Sequence, residues 1–144
     1  MALYLDTSCL LKLFLLEPES MRVATTIASE AHVVVSSLAR LEAVVQFQAL
    51  YEGGRLTRRA ATGLANRLET MLANTPYELV STSADVAVQA TAQIMPLGVA
   101  PHCRSADRLH LAIMQQLRLN RLFTNDRAQA AAARQLGFEV VSLD

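Results

Sequence analysis

Apolar residues of this chain fall into short runs that are separated by longer stretches with helical spacing. The runs are rich in β-branched or aliphatic residues and are bounded by turn-forming residues, which is typical of strands. They are continuously apolar rather than alternating, as expected for strands that are buried on both faces of a parallel sheet. They predict five strands, at 3–5, 32–36, 77–81, 121–124 and 138–142.

The longer stretches repeat apolar residues at intervals of three and four, which predicts helices. We expect Ser36 or Ser37, Thr57 and Ser83 to cap helices, and Gly137 to end the last one. Strands that alternate with helices predict an α/β fold in which helices cover both faces of a parallel sheet, a three-layer sandwich. The predicted helices lie at about 7–16, 18–27, 38–52, 57–74, 83–94, 105–117 and 126–136.

Composition changes this picture little. The 144 residues are 52% hydrophobic and 18% charged, which predicts a single domain over residues 1–144 with a buried core. The formal net charge of +0 argues against an overall basic field that attracts nucleic acid. Lys12 is the only lysine, and the many arginines suit bidentate phosphate contacts, although a GC-rich genome also produces them.

The cysteines and the N-terminus indicate where the protein works. Cys9 and Cys103 lie in or beside apolar segments without metal-type spacing, as expected for small core residues in a reducing compartment. The chain opens without a secretory signal pattern, and its apolar runs are too short to span a bilayer. We therefore expect a cytoplasmic protein with no membrane association.

Four carboxylates lie at positions that are not ordinary solvent-exposed positions of a helix or a loop. Asp6 and Asp126 each follow an apolar strand and precede a helix, although either one could simply be an N-cap. Asp107 lies in the first turn of an apolar helix, where the helix dipole alone could favour it. Glu42 shares a helical face with apolar residues, so it needs a cation or a partner, for example an arginine.

These four acids are expected to converge, because the carboxyl ends of parallel strands share one edge of the sheet and ligands bind there. Clustered carboxylates repel one another unless a proton or a cation neutralises them. Since the donors are hard oxygens with no clustered His or Cys, the predicted cation is Mg²⁺ or Mn²⁺.

The order of these segments resembles PIN domains and, more narrowly, the VapC ribonuclease toxins of bacterial toxin–antitoxin pairs. The resemblance runs over the whole chain, and all four acids match the family pattern. It implies a five-stranded parallel sheet in the order 3-2-1-4-5, a homodimer, a VapB-like antitoxin partner and Mg²⁺-dependent cleavage of RNA. The segments that carry it are Asp6-Thr7-Ser8, Glu42 within a helix, Asp107 before Leu109-His110-Leu111-Ala112, and Thr124-Asn125-Asp126-Arg127.

This resemblance gives each site residue an expected role. Asp6 and Asp107 are expected to bind the metal directly, Asp126 directly or through water, and Glu42 to hold a second ion or orient the attacking water.

Neighbouring polar residues have expected roles too. Ser8 and Thr124 would donate to a ligand carboxylate or to the scissile phosphate, or else cap helices, which is the favoured interpretation of Thr124. His110 is expected to serve the fold. Contacts with RNA phosphates are expected from Arg104, Arg108 and Arg127.

Rival classes fit the residues less well. A phospho-acceptor receiver domain needs a lysine after its last strand, and the only lysine is Lys12. A haloacid-dehalogenase-type phosphatase needs a second Asp at the position of Ser8. A non-catalytic PIN-like module that binds RNA or protein is the remaining alternative, although such modules usually lose acids that this chain keeps.

Overall fold

The computed structural model describes residues 1–143, so Asp144 lies outside the described part of the chain. Five strands alternate with seven helices along the described residues. The strands are β1 (Leu3–Leu5), β2 (Val33–Ser36), β3 (Tyr77–Val80), β4 (Arg121–Phe123) and β5 (Glu139–Val141). The helices are α1 (Thr7–Lys12), α2 (Ser20–Ala28), α3 (Ser37–Glu52), α4 (Arg58–Leu72), α5 (Val86–Gln93), α6 (Ser105–Leu117) and α7 (Arg127–Gln135).

The strands form one sheet in the order β3-β2-β1-β4-β5, and every neighbouring pair is parallel. Tyr4 in the central strand pairs with Val34 on one side and Leu122 on the other. The α/β class, the parallel sheet and its order 3-2-1-4-5 are thereby confirmed. All five carboxyl ends lie along one edge, as parallel pairing requires.

Each face of the sheet has its own core, because successive side chains of a strand point to opposite faces. Leu3 and Leu5 pack with residues of α1, α2, α3 and α4, whereas Tyr4 packs with residues of α5, α6 and α7. These residues of β1 are fully buried. The sheet is therefore the middle layer of a three-layer sandwich, as predicted.

Several predicted helix ends are confirmed by their hydrogen bonds. Ser36 and Thr57 cap α3 and α4, accepting from the amides of Ala39 and Ala60 at 3.1 Å in both cases. Gly137 follows α7 with a φ of +92°, a conformation that an L side chain strains and glycine adopts freely.

Three predicted boundaries are wrong. The first helix ends at Lys12 rather than near Leu16. The ammonium group of Lys12 forms ion pairs with Glu17 and Glu19, which follow the turn after the helix. The second begins at Ser20, whose hydroxyl accepts from the Glu17 amide and so takes part in that turn. Ser83 does not cap α5, because the helix begins at Val86 with Asp85 at its N-cap, and the Ser83 hydroxyl donates to Gln116 Oε1 at 2.7 Å instead.

None of the helices in residues 1–143 has the length and apolar character needed to cross a membrane.

Candidate active site

The four predicted acids lie at the carboxyl edge of the sheet on four different elements. Asp6 directly follows β1, Glu42 is in α3, Asp107 is in the first turn of α6, and Asp126 precedes α7. The side chains of Asp6 and Asp107 are only 5% and 4% exposed, whereas those of Glu42 and Asp126 are 30% and 26% exposed. The cluster therefore runs from the interior of the protein to its surface.

Asp6 and Asp126 are helix N-caps, but capping uses only one oxygen of each. Asp6 Oδ2 accepts from the Ser8 amide at 3.2 Å, and Asp126 Oδ1 accepts from the Gln129 amide at 3.0 Å. Asp6 Oδ1 and Asp126 Oδ2 are left for other partners. The capping interpretation is thus correct for both residues, and it leaves each with a second oxygen that is free of the cap.

Ser8 and Thr124 orient the Asp6 carboxylate. Both hydroxyls donate to Asp6 Oδ2, at 2.7 and 3.1 Å. Thr124 Oγ1 also accepts from the Asp126 amide at 3.0 Å, so it ties the ends of β1 and β4 together. The favoured interpretation of Thr124 as a helix cap is wrong, because Asp126 caps α7. Its hydroxyl fixes a carboxylate instead.

Arg104 lies between the remaining two aspartates. Its Nε and one terminal nitrogen donate to the two oxygens of Asp107 at 3.1 and 3.2 Å, and that same nitrogen lies 3.4 Å from Asp126 Oδ2. The hydrogen bonds that Arg104 donates to Asp107, and the negative charges of Asp107, Asp126 and Asp6, raise the pKa of Arg104. The guanidinium is thus the cation of this cluster, although its side chain is 74% exposed.

The donors suit a hard divalent ion in their chemistry, since all four acids, Ser8 and Thr124 offer oxygen. Within residues 1–143, however, no three acidic, histidine or cysteine side chains are close enough together to hold a metal as they stand. A guanidinium already lies between Asp107 and Asp126 and offsets part of their charge. The four acids thus match a divalent ion in donor chemistry.

Glu42 is held by α1 and α6. Its Oε1 accepts from Thr7 Oγ1 at 2.8 Å and lies 2.6 Å from His110 Nε2. Burial raises the pKa of Glu42, but the hydrogen bond and charge of His110 and the Thr7 hydroxyl outweigh it, so the pKa is lowered overall. The alternative of an arginine ion pair is wrong within the described residues, because the imidazole of His110 takes that place.

His110 is therefore part of the site, which sequence reasoning missed. It contacts Glu42, lies 3.6 Å from Asp6 Oδ1 and is 1% exposed. One signal was available in the sequence. His110 follows Asp107 by three positions on a helix, which places both side chains on one face.

The arginines predicted to contact RNA differ in accessibility. Arg108 is 4% exposed, and its guanidinium donates to Gln93 Oε1 and to the carbonyl of Pro101. It therefore lies inside the protein and is not available to a phosphate. Arg127 is exposed and lines a cleft of about 250 Å³ beside Asp126, together with Arg134, which sequence analysis did not select.

The 3-2-1-4-5 parallel sheet and the four acids at its carboxyl edge define the class of this protein: an α/β protein with a charged site at its strand ends. The family model of the PIN domain matches residues 3–135, and the chain belongs to the PIN domain family. A comparison with curated proteins finds no match.

Several solved structures share this fold. VapC20 of Mycobacterium tuberculosis, described as a sarcin-ricin loop cleaving toxin, has a TM-score of 0.69 and 19% identity, covering 94% of this chain and 95% of that one. VapBC2 of Rickettsia felis, bound to promoter DNA, has a TM-score of 0.68, 13% identity and full coverage of both chains. FitAcB of Neisseria gonorrhoeae has a TM-score of 0.67 and 19% identity, covering 96% and 95%.

Proposed function

We propose that this protein is a cytoplasmic, Mg²⁺- or Mn²⁺-dependent ribonuclease that hydrolyses RNA phosphodiester bonds as the toxin of a VapBC-type pair. The observation that carries the proposal is the excess of carboxylates at the strand ends. Thr124 joins Asp6 to Asp126, Arg104 joins Asp126 to Asp107, and His110 lies between Glu42 and Asp6. Arg104 is the one arginine bonded to these acids within residues 1–143. Such a set favours binding of a divalent cation.

Three aspartates would hold the ion. The oxygens of Asp6 and Asp126 that capping leaves free, and the carboxylate of Asp107, are the donors, with Glu42 at a second ion or at the attacking water. A bound divalent ion lowers the pKa of its water and neutralises charge on the phosphate. Ser8 and Thr124 keep Asp6 in one orientation, so the site does not have to order this ligand when it binds the ion.

Exposed arginines would bind the RNA backbone beside the acids. Arg104 would bind a phosphate if a divalent ion took its place beside the aspartates, and Arg127 and Arg134 offer two further cations along the neighbouring cleft. The net charge of +0 means that this attraction is local to the site. RNA binding should consequently weaken with salt according to these few contacts.

A VapB-like antitoxin and a second copy of the chain are the proposed protein partners. The solved structures that share the fold include a toxin–antitoxin complex from Klebsiella pneumoniae. On α3, Leu41 and Val45 are 60% and 57% exposed and lie one turn apart, and contiguous exposed apolar residues often mark a protein interface. Light scattering that finds only monomer at micromolar concentration would remove the second copy from the proposal.

The rival function is a PIN-like module that binds RNA without cutting it. The two are separated by Mn²⁺-dependent cleavage of end-labelled RNA by the wild type and by Asp6→Asn, which keeps the helix cap but removes the negative charge. We expect the variant to lose about 10³-fold in rate, equivalent to about 4 kcal/mol of transition-state stabilisation. Glu139→Gln, at the opposite edge of the sheet, is the matched control and should cleave normally.

Equal rates from Asp6→Asn and the wild type, or metal-independent cleavage by both, would refute the nuclease proposal. Tight RNA binding without cleavage by any variant would establish the binding module instead. Thermal melting of each variant shows whether lost activity reflects lost folding.

A further inference from the structure

A buried chain of polar side chains connects the site to the interior of the sheet. His110 Nε2 lies 2.6 Å from Glu42 Oε1, and His110 Nδ1 lies 2.6 Å from Tyr4 Oη, which donates to Ser36 Oγ at 2.9 Å. His110, Tyr4 and Ser36 are at most 1% exposed. This chain therefore crosses from α6 through β1 to the end of β2, out of contact with solvent.

The imidazole is held at both nitrogens. A carboxylate without a proton can only accept, so Nε2 donates to Glu42 Oε1. Tyr4 Oη fixes the other nitrogen, and its ring packs edge-on against the imidazole with centroids 5.8 Å apart. A residue whose rotation is blocked in this way presents its Nε2 proton in one direction.

Glu42 depends on these contacts for its orientation. It projects from α3, and its hydrogen bonds within the described residues come from Thr7 and His110, both to Oε1. Its Oε2 accepts none among those residues. The two donors therefore hold one oxygen in place, and the other oxygen of the carboxylate remains free for a ligand.

We propose that His110 is a positioning residue, which fixes Glu42 through its Nε2 proton so that the free carboxylate oxygen faces the ligand of the acidic cluster. The inference rests on the proposed metal-dependent function, since it concerns the orientation of one of its acids. Groups that contact and orient a ligand side chain typically contribute 10- to 100-fold to metal affinity or activity.

A matched pair of substitutions separates the two nitrogens of His110. In His110→Gln, the side-chain amide nitrogen reaches the Nε2 position and can donate to Glu42. In His110→Asn, the shorter amide reaches only the Nδ1 position, toward Tyr4. Each variant keeps one of the two contacts, so a purely structural histidine would be replaced about equally well by either.

The test measures Mn²⁺ affinity by electron paramagnetic resonance on RNA-free protein, together with the RNA cleavage rate and the melting temperature. For His110→Asn we expect both affinity and rate to fall by about 10- to 100-fold. His110→Gln should stay within about threefold of the wild type, and the two variants should melt at similar temperatures. Equal losses in both variants would overturn the proposal.

A double-mutant cycle with Glu42→Ala adds a second criterion. If His110 acts through Glu42, His110→Asn lowers Mn²⁺ affinity in the wild type but not in Glu42→Ala. The same loss in both backgrounds would assign His110 to the fold alone. His110→Leu, which removes both ring nitrogens, replaces His110→Asn in this cycle if that variant does not fold, and it should show the same dependence on Glu42. Tyr4→Phe, which removes only the hydroxyl at Nδ1, should behave like His110→Gln and stay within about threefold of the wild type.

The outcomes distinguish this inference from the proposed function. A wild type that neither binds Mn²⁺ nor cuts RNA refutes the proposed function, and the positioning role with it. A wild type that does both, with His110→Asn unchanged from it, refutes the positioning role alone.

Discussion

At each end of the sheet an arginine donates two hydrogen bonds to one carboxylate. The two groups of charged residues around these pairs, the amino-end cluster and the carboxyl-end cluster, differ in their balance of charge. At the amino end, Arg121 of β4 donates to both oxygens of Glu30 at 2.8 and 2.9 Å. At the carboxyl end, Arg104 donates to both oxygens of Asp107 at 3.1 and 3.2 Å. The local geometry is the same, but the surroundings are not.

The amino-end pair is matched and enclosed. The side chains of Arg121 and Glu30 are 20% and 15% exposed, and the additional acid, Glu139, lies 3.9 Å away and is itself 60% exposed. The positive charge of Arg121 is balanced by the carboxylate of Glu30, so little net charge remains at this pair. Such a pair holds the segment that follows α2 against β4, and its charges are already balanced without an ion.

The carboxyl-end cluster is mismatched and open. Arg104 is 74% exposed, while Asp107 is 4% exposed and three further acids, Asp6, Glu42 and Asp126, belong to the same cluster. The exposed partner is thus the cation, and the buried partner is the acid. This imbalance of charge is what distinguishes the proposed site from the amino-end pair.

The largest expected difference is in catalysis. Asp107→Asn should lower the rate of Mn²⁺-dependent RNA cleavage by about 10³-fold, because it removes a charge on which the proposed site depends. Glu30→Gln makes the same chemical change in the matching pair at the amino end and should leave the cleavage rate unchanged. Cleavage of labelled RNA under single-turnover conditions measures both. Comparable losses in the two variants would erase the functional distinction between the clusters.

A smaller effect, on Mn²⁺ affinity and on RNA binding, is expected from removing the guanidinium of Arg104. Arg104→Ala should raise the Mn²⁺ affinity of RNA-free protein several-fold, because the guanidinium no longer competes for Asp107 and Asp126. The same variant should bind RNA more weakly, since a phosphate contact is lost. Calorimetry with Mn²⁺ and a filter-binding assay with RNA measure the two effects.

Arg127→Ala is the matched control for this prediction, because Arg127 is exposed beside Asp126 but forms no hydrogen bond with a carboxylate in the described residues. It should weaken RNA binding without changing Mn²⁺ affinity. An Arg104→Ala protein with unchanged or weaker Mn²⁺ binding would show that Arg104 supports the acids rather than competing for them.

The sequence predicts most of the fold, because strands and helices here follow strong local patterns. Continuous apolar runs such as 33–36 and well-capped helices such as α3 and α4 form as their residues dictate. The wrong boundaries depend on side chains that are distant in sequence or fold back locally. Ser83 bonds Gln116 across 33 residues, and no local pattern indicates such a contact.

The site follows the same division. The positions of Asp6 and Asp126 could be predicted, since strand–acid–helix is a local signature at a sheet edge. The partner of Glu42 could not, because His110 is 68 positions away and lies on an apolar helix. The burial of Arg108 could not be predicted either. Its neighbour Arg104 has the same charge, and only the packing of the loop before α6 separates their roles.

The smallest effect concerns stability at the amino end. Glu30→Gln should lower the free energy of unfolding by about 1 to 2 kcal/mol at pH 7, between the values typical of exposed and buried ion pairs. The hydrogen bonds of Arg121 lower the pKa of Glu30 from its ordinary 4.5, so the charged form is favoured in the folded state. This contribution is present above pH 4.5 and is lost as the pH falls through the lowered folded-state pKa.

Urea unfolding at pH 7 and pH 3 should therefore show the stabilities of wild type and Glu30→Gln converging in acid. Glu139→Gln, with its exposed carboxylate, should differ little from wild type at either pH. A Glu30→Gln deficit that stays constant with pH would mean that the pair contributes by packing rather than by charge, and the amino-end cluster would then cease to be the structural counterpart of the site.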